Sequence, residues 1–255
     1  MVGVPTQPGP ALLIALVVLV ALSVGASLLG RLHVERAVST AALRAVLQLA
    51  VVALVITAVL SHLVWSLVFG LAMFTIAVFT SARRVGAAHA WPWVAVALAA
   101  GVLPVLAVVF LSGAVPWNGA SLVPMAGIVI GGTMSAHSLL GRRLFAALRE
   151  ERGSYEAALA IGLPRPAAIG EVIGRRLPEA LVPGLDQTRT VGLVTLPGAF
   201  VGVLLGGGTP VQAGAAQVVV LVGLLAAQTL TVVVASRLVR ASLLLPDDLR
   251  TGLIA

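Results

Sequence analysis

Arg142–Arg189 reads RRLFAALREERGSYEAALAIGLPRPAAIGEVIGRRLPEALVPGLDQTR, the only long polar stretch in an otherwise lipid-like chain. Within it, Tyr155 to Leu163 is rich in helix formers, and Ala157, Ala158 and Ala160 give a thin, close-packing surface. Ser154 is placed to cap this helix, and Glu156 in the first turn complements the positive end of the helix dipole. Gly162 permits a left-handed C-terminal turn, and Pro164 and Pro166 stop the helix from continuing. The stretch therefore predicts a short helix with sharp ends, held off the membrane and shaped to fit a groove on a partner. An ordinary amphipathic loop helix would give the same pattern, because Glu-Ala-Ala triplets arise by chance in alanine-rich chains.

The sequence on either side of this stretch sets the solvent. Of 255 residues, 60% are hydrophobic and 10% charged, and the mean hydropathy is +1.11. So little polar surface cannot cover a water-facing exterior, which predicts an all-α polytopic membrane protein. The N-terminal MVGVPTQPGP reads as a short extended tail without the basic region of a signal peptide. About seven spans follow, each near the ~20 residues a bilayer requires. They are Ala11–Gly30, Leu43–Leu60, Val64–Thr80, Trp93–Ser112, Leu122–Leu140, Thr190–Gly206 and Ala213–Ser236. No repeat period is evident, so residues 1–255 read as a single transmembrane domain with a cytoplasmic loop over 142–189.

Charge sets the orientation. The net charge of +7 comes from arginines alone, since there is no lysine. Arg31, Arg36 and Arg44 lie at the first connection, Arg83 and Arg84 in the third, and Arg237, Arg240 and Arg250 after the last span. The second, fourth and sixth connections hold no charged residue. All the arginines thus fall on one side, which the positive-inside rule makes the cytoplasm, with the N-terminus outside and the C-terminus inside. That distribution also explains the basic balance without nucleic acid. The absence of cysteine excludes disulfides and thiolate metal sites, and the absence of lysine excludes a P-loop. ATP, if it drives this protein, is expected to be bound by another polypeptide.

Few residues inside the spans can carry chemistry. Gly127 and Gly131 are spaced as GxxxG on the fifth span, where Thr133, Ser135, His137 and Ser138 add polar groups. His137, with Met134 one turn before it, reads as either a snorkelled interfacial residue or a substrate ligand. Arg44 and Gln48 share one face of the second span, a polar spot on a transport path or an interfacial pair. Asp186 and Arg189 could pair at the cytoplasmic mouth of the sixth span or stand as separate solvated charges. Pro197-Gly198 should kink or interrupt that span, and broken helices at membrane depth often line a transport route. Trp91, Trp93 and Trp117 suit interfacial belts. No acidic residue lies within a span, which argues against a relay of buried carboxylates.

Several strings together resemble the iron-export permease family of ABC transporters, which includes plant aluminium-sensitivity permeases. They are Arg44-Ala45-Val46-Leu47-Gln48-Leu49, Pro124-Met125-Ala126-Gly127, the Glu156–Gly162 loop with its Glu156-Ala157-Ala158 start, and DQTRTVGLVTLPGAFVG from Asp186 to Gly202. The VGLVTLPG string is the most specific of these, while Leu177-Pro178 falls a few residues later than the general coupling-loop pattern places it. The resemblance implies a homodimeric permease in the cell membrane, carrying no cofactor, coupled through Glu156, Ala157, Ala158 and Gly162 to a cytoplasmic ATPase and exporting metal ions. A permease for a non-metal solute fits the same residues. A secondary transporter should show inverted repeats or buried ionisable groups, and a membrane scaffold would not need a stiff capped helix.

Overall fold

Long apolar runs become long helices, because in lipid the backbone must satisfy its own hydrogen bonds. The computed structural model describes residues 9–253. The expected N-terminal tail lies, over residues 1–8, outside the described residues. Among those described, six helices are long and apolar enough to cross a membrane. They are α1 (Pro10–Leu29), α2 (Glu35–Ser61), α3 (Leu63–Arg84), α4 (Trp91–Leu111, preceded by a 3-10 turn), α5 (Gly119–Glu150) and α10 (Pro210–Arg240). Between α5 and α10 come α6 (Arg152–Ala160), α7 (Arg165–Ile173), a 3-10 turn (Gly174–Ala180), α8 (Val182–Thr190) and α9 (Gly198–Leu205). The chain then closes with α11 (Asp247–Gly252). The protein is an all-helical, multi-pass membrane protein.

The chain divides into two units, Met1–Ser61 and His62–Ala255. In the first, α1 and α2 pack on each other through a tight connection in which Arg31 and His33 take positive φ. Ser27, buried at the end of α1, donates 2.7 Å to Glu35 Oε1 and accepts from the Val34 N–H at 3.3 Å.

In the second unit, α3, α4, α5 and α10 share one core, where Leu98, Val129, Leu140, Leu144 and Phe145 are almost wholly buried. Both α5 and α10 exceed 30 residues, about 46–48 Å at 1.5 Å per residue. That is well beyond a hydrocarbon core of about 30 Å, so their arginine-bearing ends project past it. α10 opens with a full capping box, Thr209 accepting from the Gln212 N–H while the Gln212 side chain accepts from the Thr209 N–H.

Close helix contacts run through glycines other than the predicted pair. Gly131 faces open space and Gly127 meets only Met73 at ordinary contact distance. Gly132, one residue further round the helix, packs against Leu224 and Gln228 of α10. Gly101 of α4 lies directly on the Ala227 carbonyl and Thr231 of α10. GxxxG spacing shows that one face is narrow, but only packing shows which narrow face meets a helix.

The largest departure concerns the sixth expected span. The interruption expected at Pro197-Gly198 is present and wider than one kink, and the 3-10 turn, α8 and α9 lie along α10 in pieces. That packing starts well before Thr190, since Gly184 on α8 is buried against Gln228 and Leu225, in the middle of α10. Asp186, Gln187, Thr188 and Arg189 give α8 the composition of an aqueous loop, although it packs on α10.

Candidate functional site

The polar stretch folds at one end of the second unit as a clasp of short helices. α5 ends at Glu150 and α6 begins at Arg152, so only Glu151 separates them. Ser154 consequently falls inside α6 rather than capping it, and Glu156 lies beyond the first turn, where it makes an i,i+4 ion pair with Arg152 at 2.9 Å instead of facing the helix dipole. The other end of α6 is as its sequence predicts. Gly162 has φ +90°, its N–H donates to the Leu159 carbonyl, and the Leu163 N–H donates to the Ala158 carbonyl. This is the paired bonding of a left-handed helix stop, and Pro164 then opens α7.

The alanine face of α6 is divided. Tyr155 and Ala158 turn inward, with the Tyr155 hydroxyl donating to the Leu253 carbonyl at 2.8 Å. Ala157, Ala160 and Gly162 turn outward beside Ile161, which is 80% exposed. Ion pairs lash the clasp to its neighbours. Arg149 makes a two-pronged contact with Asp248 of α11 at 2.7 and 3.1 Å, and these hydrogen bonds hold the Asp248 carboxyl below its ordinary range. Glu179 bridges Arg143 (3.1 Å) and Arg176 (3.4 Å), while Arg176 also reaches Glu151 at 3.3 Å. Each pair is part-exposed and adds little alone, but together they tie the 3-10 turn and α11 to the end of α5.

Beyond α8 the backbone leaves the helix. Gly192 has φ +79° and donates its N–H to the Thr195 carbonyl at 2.9 Å, while Leu193 and Val194 are exposed. The helix resumes at Gly198, after Pro197. Between this interrupted segment and the first halves of α5 and α10 lies a cavity of about 740 Å³. Its walls are mostly apolar, with Ser121, Gln187 and Gln217 as the polar side chains.

The predicted path residues do not gather in one place. Pro197 and Gly198 line the cavity. Asp186 and Arg189 lie 3.7 Å apart as an exposed pair on α8. Met134 packs at the edge of the core, and Gln48 lies exposed on α2 within the first unit. His137 is 1% exposed in the α3–α5 contact, where its Nδ1 is 2.8 Å from Ser81 Oγ, itself 3.0 Å from Ser138 Oγ. Ser81→Ala should therefore leave His137 and Ser138 without their cross-helix partner at a cost of about 1–3 kcal/mol, read as a lower melting temperature in detergent. An unchanged melt would show that this junction holds nothing together. The cavity residues missed at first, Ser121, Gln187 and Gln217, carried one usable signal. Gln217 and Gln228 are amides inside an expected span, and such groups seek a polar partner.

An uncharacterised protein family, UPF0014, matches residues 10–244. The UPF0014 membrane protein STAR2 of Oryza sativa subsp. japonica is 31% identical over 228 residues, covering 88% of this chain and 80% of STAR2. The protein ALUMINUM SENSITIVE 3 of Arabidopsis thaliana is 31% identical over 163 residues, 63% of this chain and 59% of that one. The "Probable iron export permease protein FetB" of Escherichia coli (strain K12) is 32% identical over 143 residues, 56% of this chain and 54% of that one. No solved structure matches. The match over nearly the whole described chain, on a bundle of membrane-length helices, makes this protein a member of the UPF0014 family of membrane proteins.

Proposed function

We propose that this chain is the permease subunit of an ABC exporter in the cell membrane, driven by a separate cytoplasmic ATPase and carrying a metal such as iron outward. The observation that carries this reading is α6, a short helix with a sharp left-handed stop and an outward face of Ala157, Ala160, Ile161 and Gly162. A small exposed apolar knob beside the arginine-bearing ends of α5 and α10 fits a groove on a cytoplasmic partner. The name of the Escherichia coli relative supports a metal cargo. In this reading residues 1–255 act as one permease domain, with its arginines inside and two copies forming the closed pair common among symmetric assemblies.

The geometry suggests how force would travel. A push on α6 reaches Leu253 through Tyr155, and α7 through the turn at Gly162. From α7 it passes along the 3-10 turn to α8, whose Gly184 is seated on Gln228. The end of that route is the interrupted segment on the cavity wall. The test is purification of the tagged chain in mild detergent, followed by reconstitution. Two copies of an ATPase should accompany two copies of this chain, and iron should cross the liposome membrane only with ATP. A chain that recovers no ATPase, or leaves iron where it started, would overturn the proposal.

A further inference from the structure

The cavity specifies its cargo more narrowly than the proposed function does. A bare divalent ion requires several hard oxygen, nitrogen or thiolate ligands at short range. The walls of this cavity carry no carboxylate, imidazole or thiol, and no group of three such side chains is placed to hold a metal among the described residues. The volume of about 740 Å³ is that of a site for an organic molecule.

The polar groups present suit an uncharged solute. Gln217 is 4% exposed on the cavity wall, and its amide oxygen has no hydrogen-bond partner. A buried, unpartnered amide is rare enough to require a reason, and a ligand donor supplies one. Gln187 comes to the same wall from α8. Opposite them α9 opens at Pro197 with no side-chain cap, leaving the backbone N–H groups of Gly198 and Ala199 as donors on the cavity wall. Amide and backbone groups within an apolar wall bind oxygen-bearing neutral molecules and offer no counter-charge to an ion.

We infer that the cavity between α5, α9 and α10 is the cargo site and that it takes an uncharged organic molecule, so that a metal passes as its neutral chelate rather than as the bare ion. This rests on the reading of the chain as an exporter and names the chemical form of what is exported.

The test is equilibrium dialysis of the full chain in mild detergent against two iron probes. One is tris(acetohydroxamato)iron(III), an uncharged chelate whose organic shell carries N–H donors as well as oxygens, and the other is ferrous ion under reducing conditions. The chelate should bind saturably at one per chain, and ferrous ion should not be retained. Gln217→Leu, which removes the amide but keeps its bulk, should weaken chelate binding about tenfold, as expected for the loss of about 1.4 kcal/mol. Gln187→Leu lies at an exposed position that folding does not depend on, and it should weaken binding in the same direction. Retention of ferrous ion alone, chelate uptake that never saturates, or binding unchanged in both variants would overturn the inference. Failure here with ATP-driven iron movement intact would leave the exporter reading standing. Chelate binding by a chain that recruits no ATPase would overturn that reading and leave the cavity assignment.

Discussion

Gly162→Val should abolish coupling while leaving the membrane fold intact. Gly162 has φ +90°, a region in which a β-branched residue costs about 1–2 kcal/mol or more. A Cβ added there meets nothing within this chain, so the strain is in the backbone alone and is relieved by opening the turn. Opening it breaks the two hydrogen bonds from Gly162 and Leu163 to α6 and swings the helix out of line with α7. A penalty of that size lowers the correctly posed population about tenfold. ATP-driven flux, and any stimulation of the ATPase by this chain, should fall together by at least that factor. The melting temperature in detergent should barely move. Gly153 provides the control, because it too has open space around it but sits in an ordinary helical conformation. Gly153→Ala should leave flux unchanged and stabilise α6 by up to about 1 kcal/mol. Equal flux from the Gly162 variant and the wild type, in a complex that still binds the ATPase, would show that α6 does not transmit force.

Gly101→Val should have the opposite profile, with the fold lost before any question of coupling arises. The added Cβ would be driven into the Ala227 backbone carbonyl and the Thr231 hydroxyl of α10. The Ala227 carbonyl belongs to a helix and cannot rotate away, so α4 and α10 must separate along their seam. Overpacking of a tight core costs about 1–3 kcal/mol even where side chains can adjust, and here the obstacle is backbone. The variant should be recovered in low yield and run as aggregate on gel filtration, with a lower melting temperature in whatever fraction remains folded. Gly131→Ala is the matching control, since Gly131 faces open space on α5 and should tolerate the methyl group. A Gly101 variant that elutes and melts like the wild type would mean that the seam is looser than it stands here.

Local chemistry was legible in the sequence wherever a residue acts on its own backbone. Gly162 predicted the left-handed stop because no other residue adopts that φ without strain, and Pro197-Gly198 predicted an interruption because proline has no N–H to give a helix. The membrane class and the long helices followed from hydropathy, which is a sum over residues and needs no partner. Readings that depend on a partner were not available there. Ser154 looked like a cap only while the end of α5 was unknown, and the placement of α5 up to Glu150 moved the start of α6 past it. His137 could be read as a ligand or an interfacial group until Ser81, on another helix, was found 2.8 Å away. The packing of α8 was hidden because its sequence is polar by itself, and only the seat of Gly184 on Gln228 brings it alongside α10. By itself, then, the sequence determined the solvent, the helical class and the C-terminal stop of α6, because each depends on composition or on a residue's own backbone. Only the tertiary structure decided which narrow face packs, where the interrupted span runs and which amides face a cavity, because a helix has many faces and its neighbours choose among them.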